Sequence, residues 1–217
     1  MRSGLDAKEI RERVEQVTRD AFPLTTPIWE IVHRRFLAHF IEQRVIGELE
    51  SEESAVEPDR VKAAIVFADL AGYTRLTEEA GEEEALTAVE RFVAAVSSTL
   101  PQEARIVKTI GDEVMVVGSN VTALAKWAVR FQLHNTLRPR PRIGLHSGSV
   151  IYRDGDFFGR EVNRAARVSA RAAGGEVLVT DAVVKAVGKE LNFELIGHVQ
   201  LKGFTKPTEL YVASSKN

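Results

Sequence analysis

Two acidic residues stand where the pattern of the chain could use them for metal and phosphate chemistry. Asp69 closes an apolar run in Phe67-Ala68-Asp69-Leu70-Ala71-Gly72-Tyr73-Thr74, and Asp112 lies in the tight connection Ile110-Gly111-Asp112-Glu113 between two further apolar runs. Converging carboxylate oxygens are hard donors of the kind that hold Mg²⁺ or Mn²⁺, with substrate phosphates and water completing the shell. Ala71, Gly72, Tyr73 and Thr74 lead into a helical pattern, and backbone N–H groups at a helix start attract a phosphate. Singly, Asp112 is explained as a turn residue and Asp69 as a helix cap. Their conjunction on adjacent strands, beside a phosphate-ready helix start, points to a metal and triphosphate site.

Those residues need a scaffold that brings two strand ends together. Lys62–Asp69 reads as a buried strand and Leu76–Thr99 as helix with a break near Gly81. Ala104–Thr109 and Val114–Gly118 read as a tight hairpin, Val121–Leu137 as an amphipathic helix and Arg142–Tyr152 as a strand. Val162–Ala173 is expected to be a helix closed by Gly174-Gly175, followed by strands at Val177–Thr180, Phe193–Leu201 and Glu209–Ala213. The order β-α-β-β-α-β with strands after it predicts an α+β, ferredoxin-like split βαβ core, in which the first strand lies beside the hairpin. The chain has no fixed-period repeat and no low-complexity tract. Residues 1–60 form a separate helical and linker segment, and 61–217 the domain that carries the site.

The hairpin Val107-Lys108-Thr109-Ile110-Gly111-Asp112 resembles the central hairpin of class III adenylyl and guanylyl cyclases, and Phe67–Thr74 resembles their first metal motif. Asp156-Phe157-Phe158-Gly159-Arg160-Glu161-Val162-Asn163-Arg164-Ala165-Ala166-Arg167 is similar to their second catalytic segment, and Leu201-Lys202-Gly203 to their C-terminal lysine motif. The four motifs occur in the family's order across Val61–Ala213. The resemblance implies a metal-dependent cyclase in which Asp69 and Asp112 hold two Mg²⁺ or Mn²⁺ ions per site. It implies that Lys108 and Asp156 read the base, that Asn163 positions the ribose, and that Arg167 and Lys202 contact phosphates. It also implies sites shared across a homodimer, with the metal aspartates from one subunit and the other groups from its partner.

Donor and acceptor types favour ATP. Asp156 can accept from the adenine amino group and Lys108 can donate to the ring nitrogen beside it. Guanine reverses that edge and would leave buried groups unpaired. The expected reaction yields 3′,5′-cyclic AMP and pyrophosphate. Two other readings stay open: a diguanylate cyclase, which shares the core but has a doubled glycine and a phenylalanine that Ile110–Val114 lacks, and a catalytically silent nucleotide-sensing dimerisation module.

Composition narrows the field. Of 217 residues none is cysteine, which removes disulfides and thiolate chemistry. A formal net charge of −2 gives no electrostatic reason for a nucleic-acid or anionic-membrane partner. The longest apolar runs are strand-sized, and Met1–Asp6 lacks a signal-peptide pattern; a cytoplasmic setting is expected. Leu5–Glu50 reads as helical, with Ile28, Ile31, Val32, Phe36, Phe40, Ile41, Val45 and Leu49 forming a wide apolar stripe. That stripe is expected to pair or dock, setting the angle between two catalytic domains, and gives a regulatory domain or partner a place to act. His146 is expected to be a satisfied sheet residue, Arg160 and Arg164 to be surface residues, Glu82-Glu83-Glu84 a solvated first helical turn, and Trp29 and Trp127 packing residues.

Overall fold

The longest apolar run supplies the middle of a sheet. In a computed structural model, which describes residues 60–216, strand β1 (Arg60–Leu70) is buried continuously from Ala63 to Leu70. Helices α1 (Tyr73–Ala80) and α2 (Glu82–Thr99) follow, divided at Gly81, whose φ of 89° takes the backbone out of the helical region. Then come β2 (Ala104–Ile110), β3 (Glu113–Gly118), α3 (Val121–His134), β4 (Pro141–Arg153), β5 (Asp156–Phe158) and α4 (Arg160–Ser169). The described chain closes with β6 (Val177–Thr180), α5 (Asp181–Val187), β7 (Asn192–Val199) and β8 (Thr208–Ser214). The expected N-terminal helices and Trp29 lie outside the described residues.

The strands form one sheet in the order β2-β3-β1-β4-β6-β8-β7, with β5 paired to β4 alone. β1 runs antiparallel to both β3 and β4, and β2 antiparallel to β3. The part β2-β3-β1-β4 is the expected split βαβ core. β4 and β6 are parallel, and β8 and β7 extend the sheet antiparallel.

Both faces of β1 are covered, which is why it lacks a polar alternation. Ala64, Val66 and Ala68 pack with Val114 and Val116 under Phe92, Val96, Leu124, Trp127 and Phe131 from α2 and α3. Trp127 is a packing residue, its indole N–H donating to Thr99 Oγ1 at 3.0 Å. The opposite parity, Ala63, Ile65 and Phe67, meets Met115 and Val117 and is covered by Val162 and Ala165 of α4 and by Phe157 of β5. The β4–β5 hairpin turns through Asp154 and Gly155, at φ 53° and 83°, the pair of positive angles a two-residue primed turn needs.

Three expectations change. α4 spans Arg160–Ser169 rather than Val162–Ala173, so Gly174-Gly175 does not end it. Instead, Gly175 leaves space for the Arg140 side chain, whose Cζ would lie 2.5 Å from a Cβ there. α3 ends at His134, short of Leu137. α5 and β5 are additional elements. Glu82–Glu84 does form the exposed first turn of α2.

α4 lies against β4 so closely that no side chain fits between them: a Cβ on Gly144 would come within 2.1 Å of the Ser169 backbone nitrogen. Gly144→Ala should therefore destabilise the domain by roughly 1–3 kcal/mol or more, because the obstacle is backbone rather than a movable side chain. Denaturant unfolding is the check; an unchanged midpoint would show that α4 is not seated at this distance.

Candidate active site

The antiparallel registers gather the acidic residues at one tip of the sheet. Asp69 stands opposite Arg142 in the β1–β4 pairing, and Ala68 stands opposite Val114 in the β1–β3 pairing. Glu113 and Asp112 come next at the β3 end. Ile110 pairs with Glu113, so Gly111 and Asp112 form the two-residue turn, with Gly111 at φ 62° as a primed turn beginning with glycine requires. The turn sets Asp112 close enough to Asp69 and Arg142 for their charges to act on its carboxylate. The two predicted carboxylates thus converge, as the split βαβ topology requires.

The cluster holds more charge than the sequence suggested. Burial raises the Asp112 pKa above its ordinary 3.8, and the charge of Asp69 raises it further, against lowering by backbone N–H groups and Arg142. Glu113 is likewise raised, by burial and by the charges of Asp69 and Asp112; Arg142 and Arg167 oppose this. Arg142 supplies the only ion pair to this tip among the described residues, its Nε donating to Asp69 Oδ1 at 2.5 Å. That bond raises the guanidinium pKa. Sequence reasoning missed Arg142 and Glu113; each reads as an ordinary strand-end residue until the register is known.

Among the described residues no group of three or more His, Asp or Glu side chains forms a complete metal cage. A Mg²⁺ or Mn²⁺ site completed by phosphate and water does not need one. The donor set suits such an ion: hard oxygens, partly buried and mutually repelling, beside a guanidinium that occupies part of the cationic place. Of the predicted phosphate donors, the Ala71 N–H is already bonded to the Arg140 carbonyl at 3.1 Å. Gly72, at φ 89°, caps α1, which leaves the first-turn N–H groups of Gly72, Tyr73 and Thr74 facing outward from the helix start.

The predicted base readers meet within one chain. Lys108 Nζ lies 2.6 Å from Asp156 Oδ2, with both side chains about one-third exposed. Asp156 Oδ1 accepts from the Phe157 N–H at 2.7 Å, which fixes its rotamer. A register shift in β2 between Ile106 and Lys108 re-aims Lys108, and Phe158 lies beneath its ammonium at 5.9 Å. Asn163 and Arg167 occupy the exposed side of α4, one turn apart, while Val162, Ala165, Val168 and Ser169 face inward. Lys202 is exposed in a turn between buried Leu201 and Phe204. The structure therefore brings together Asp69 with Asp112 and Lys108 with Asp156, and leaves Asn163, Arg167 and Lys202 open to solvent.

His146 is satisfied, as expected: Nδ1 lies 2.7 Å from Thr180 Oγ1 and Nε2 2.6 Å from Glu161 Oε2. Burial lowers its pKa despite Glu161. Arg164 departs from its expected surface role. It is half-buried, donating to Glu161 at 3.1 Å and to Thr208 Oγ1 at 3.3 Å.

With this geometry in place, the comparisons are specific. Residues 56–215 match the family model described as the Adenylate and Guanylate cyclase catalytic domain, and the chain belongs to that family of class III nucleotidyl cyclases. It is 30% identical over 192 residues to a pH-sensitive adenylate cyclase of Mycobacterium tuberculosis, covering 87% of this chain and 48% of that protein. It is 37% identical over 146 residues to an adenylate cyclase of Streptomyces griseus, covering 65% of this chain and 36% of that one. The chain thus spans about half or less of these relatives. The adenylyl cyclase CyaB from P. aeruginosa has the same fold, with a TM-score of 0.66 at 22% identity, over 73% of this chain and 96% of that structure. No described helix is long and apolar enough to cross a membrane.

The raised pKa values carry a sign. A carboxyl raised above its unfolded value favours folding below that value and loses the benefit as pH rises through the folded one. At neutral pH, ionised Asp112 therefore opposes folding. In chelator, Asp112→Asn should melt at a higher temperature than the unaltered chain. Mn²⁺ should raise the melting temperature of the unaltered chain and leave the variant nearly unmoved. Equal metal-induced shifts would remove Asp112 from the metal site.

Proposed function

We propose that this chain carries the catalytic residues of an adenylate cyclase, converting ATP to 3′,5′-cyclic AMP and pyrophosphate at sites shared across a homodimer. The observation that carries the ATP reading is the Lys108–Asp156 pair. Its ammonium and carboxylate present one donor and one acceptor side by side, matching the adenine edge. The adenylate cyclase names of the Mycobacterium and Streptomyces relatives support the same substrate, and the single-glycine hairpin at Gly111-Asp112 speaks against a diguanylate cyclase.

The chain's own groups would divide the work as follows. Lys108 donates to adenine N1 and Asp156 accepts from the N6 amino group. Asn163 holds the ribose so that its 3′-oxygen lies in line with the α-phosphorus. That oxygen bonds to phosphorus as the bond to the bridging oxygen breaks and pyrophosphate departs. Arg167 faces the charge gathering on the α-phosphoryl oxygens. Lys202 and the N–H groups of Gly72, Tyr73 and Thr74 hold the remaining phosphates. Asp69 and Asp112 would hold two Mg²⁺ or Mn²⁺ ions per site, which acidify the 3′-hydroxyl and stabilise the leaving phosphates. His146 is not placed to act as the base, because it is buried behind α4 with both ring nitrogens engaged.

Sharing across two subunits is supported by the outward side of α4. Asn163 and Arg167 are exposed there, with Arg167 near enough to the acidic tip for its charge to act on Glu113. Ile110, beside Asp112, is 59% exposed, and Phe158, beside Lys108, is 48% exposed. Apolar side chains of this size are suited to burial by a second copy.

Purified protein given Mn²⁺ should form cyclic AMP from ATP at a rate per chain that rises with protein concentration. Cyclic GMP from GTP, a cyclic dinucleotide, or no product would overturn the assignment. Asn163→Ala should lower kcat on the order of 10²–10³-fold, the loss typical of one transition-state donor. Asp69→Ala and Arg167→Ala chains, each inactive alone, should recover about a quarter of the unaltered rate when mixed equally, because half the dimers hold one intact site of two. Failure to recover under exchange conditions would exclude the shared site.

A further inference from the structure

Asn163 and Arg167 on α4 lie far in sequence from the lysine on the β7–β8 loop, yet on the proposed reading all three meet one ATP molecule, at its ribose and its phosphates. α4 has no side-chain N-cap: Gly159 precedes it with no capping hydrogen bond. Its first-turn carboxylate, Glu161, is directed instead toward His146 on β4, at 2.6 Å. Gly148 makes that reach possible, since a Cβ there would lie 2.8 Å from Glu161 Cγ.

A carboxylate only accepts, so His146 Nε2 carries the proton and Nδ1 accepts from the Thr180 hydroxyl in the neutral ring. Thr180 stands at the N-cap position of α5 but makes no cap bond there; its hydroxyl serves His146. Glu161 Oε2 also accepts from Arg164 Nε, and Arg164 donates onward to Thr208, which is 3% exposed. The Arg164 guanidinium lies 4.7 Å from the centre of the Phe204 ring, and that of Arg160 lies 5.1 Å from it. Phe204 closes the turn that displays Lys202, its N–H donating to the Leu201 carbonyl at 3.1 Å. Gln200 Nε2 donates to the Phe204 carbonyl, and Arg171, just beyond α4, donates to the Gln200 carbonyl at 3.1 Å.

We propose that His146, Glu161, Arg164 and Phe204 form one positioning network that locks α4 and the Lys202 turn in mutual register, so that Asn163, Arg167 and Lys202 arrive on ATP together. This rests on the adenylate cyclase reading. None of the four touches substrate. The chain of contacts runs from a buried anchor on β4, through the side of α4 between Asn163 and Arg167, to a ring two residues beyond Lys202. A part-buried carboxylate shared by a buried imidazole and a guanidinium leaves unpaired polar groups behind when it is removed. The two arginines on the aromatic ring hold it by its negative faces, which an aliphatic side chain of similar bulk lacks.

The test uses the full chain with Mn²⁺ and ATP, and compares Phe204→Leu, Phe204→Tyr and Glu161→Gln. Phe204→Leu and Glu161→Gln should lower kcat on the order of tenfold or more, the scale on which small misplacements act, with KM changed less than about threefold. Phe204→Tyr, which keeps the ring, should restore most of the rate. In a Lys202→Ala background, Phe204→Leu should cost little more, since its effect passes through that lysine. Amide hydrogen exchange should quicken in both 160–169 and 200–207 in Glu161→Gln, although the substitution lies in only one of them. Rates within about twofold of the unaltered chain, full additivity with Lys202→Ala, or faster exchange confined to 160–169 would overturn the network. An unaltered chain that makes no cyclic AMP would overturn the cyclase reading, and the exchange measurement would still decide the network.

Discussion

The pairing of β1 with β3 on one side and β4 on the other is the constraint on which the rest of the molecule depends. Backbone hydrogen bonds fix the two registers, and the registers decide which side chains share the sheet tip. Asp69 stands opposite Arg142, and the Gly111-Asp112 turn falls just past the last β1–β3 pair. A slip of one residue in either pairing would send Asp69 or Arg142 to the other face, away from the cluster. The surrounding core of Ile65, Val66, Phe67 and Met115, buried from both sides, makes such a slip costly. The apolar packing therefore does more than stabilise; it sets the coordinates of the charged residues.

The charges themselves work against the fold. Asp69, Asp112 and Glu113 crowd together, partly out of water, and Arg142 answers only part of the repulsion. Local electrostatics and function pull in opposite directions here, as they do at sites built to receive a cation. The Arg142 guanidinium is one-third exposed, so part of its charge faces solvent rather than the cluster.

The opposite arrangement holds at α4. There the inward-reaching Glu161, Arg164 and His146 answer one another, although the buried Ser169 hydroxyl finds no partner among the described residues, and Asn163 and Arg167 lie exposed on the other side. A helix held firmly on one side can present freely on the other. The Lys108–Asp156 pair sits between these extremes, its ammonium and carboxylate answering each other while both stay about one-third exposed.

Much of this was legible in the sequence because its signals are local. The apolar run from Ala63 to Phe67, the Gly81 break and the Gly111-Asp112 turn each depend on residues within a few positions of one another, and each yields the element expected. The short α5 and β5 were not legible, since seven and three residues carry too little periodicity to separate from loop. The α4 boundary moved because Arg160 and Glu161 look like loop until their partners are known. Arg142, Glu113 and Phe204 lay beyond sequence reasoning altogether. Arg142 meets Asp69 across 73 positions and Arg164 meets Thr208 across 44. The chain by itself determined the order of the longer elements, the two carboxylates and the family motifs, because steric preference and hydrophobic period act between neighbours. Only the tertiary structure decided which charges share a tip and which helix side is held, because those follow from strand register, which long-range packing alone can fix.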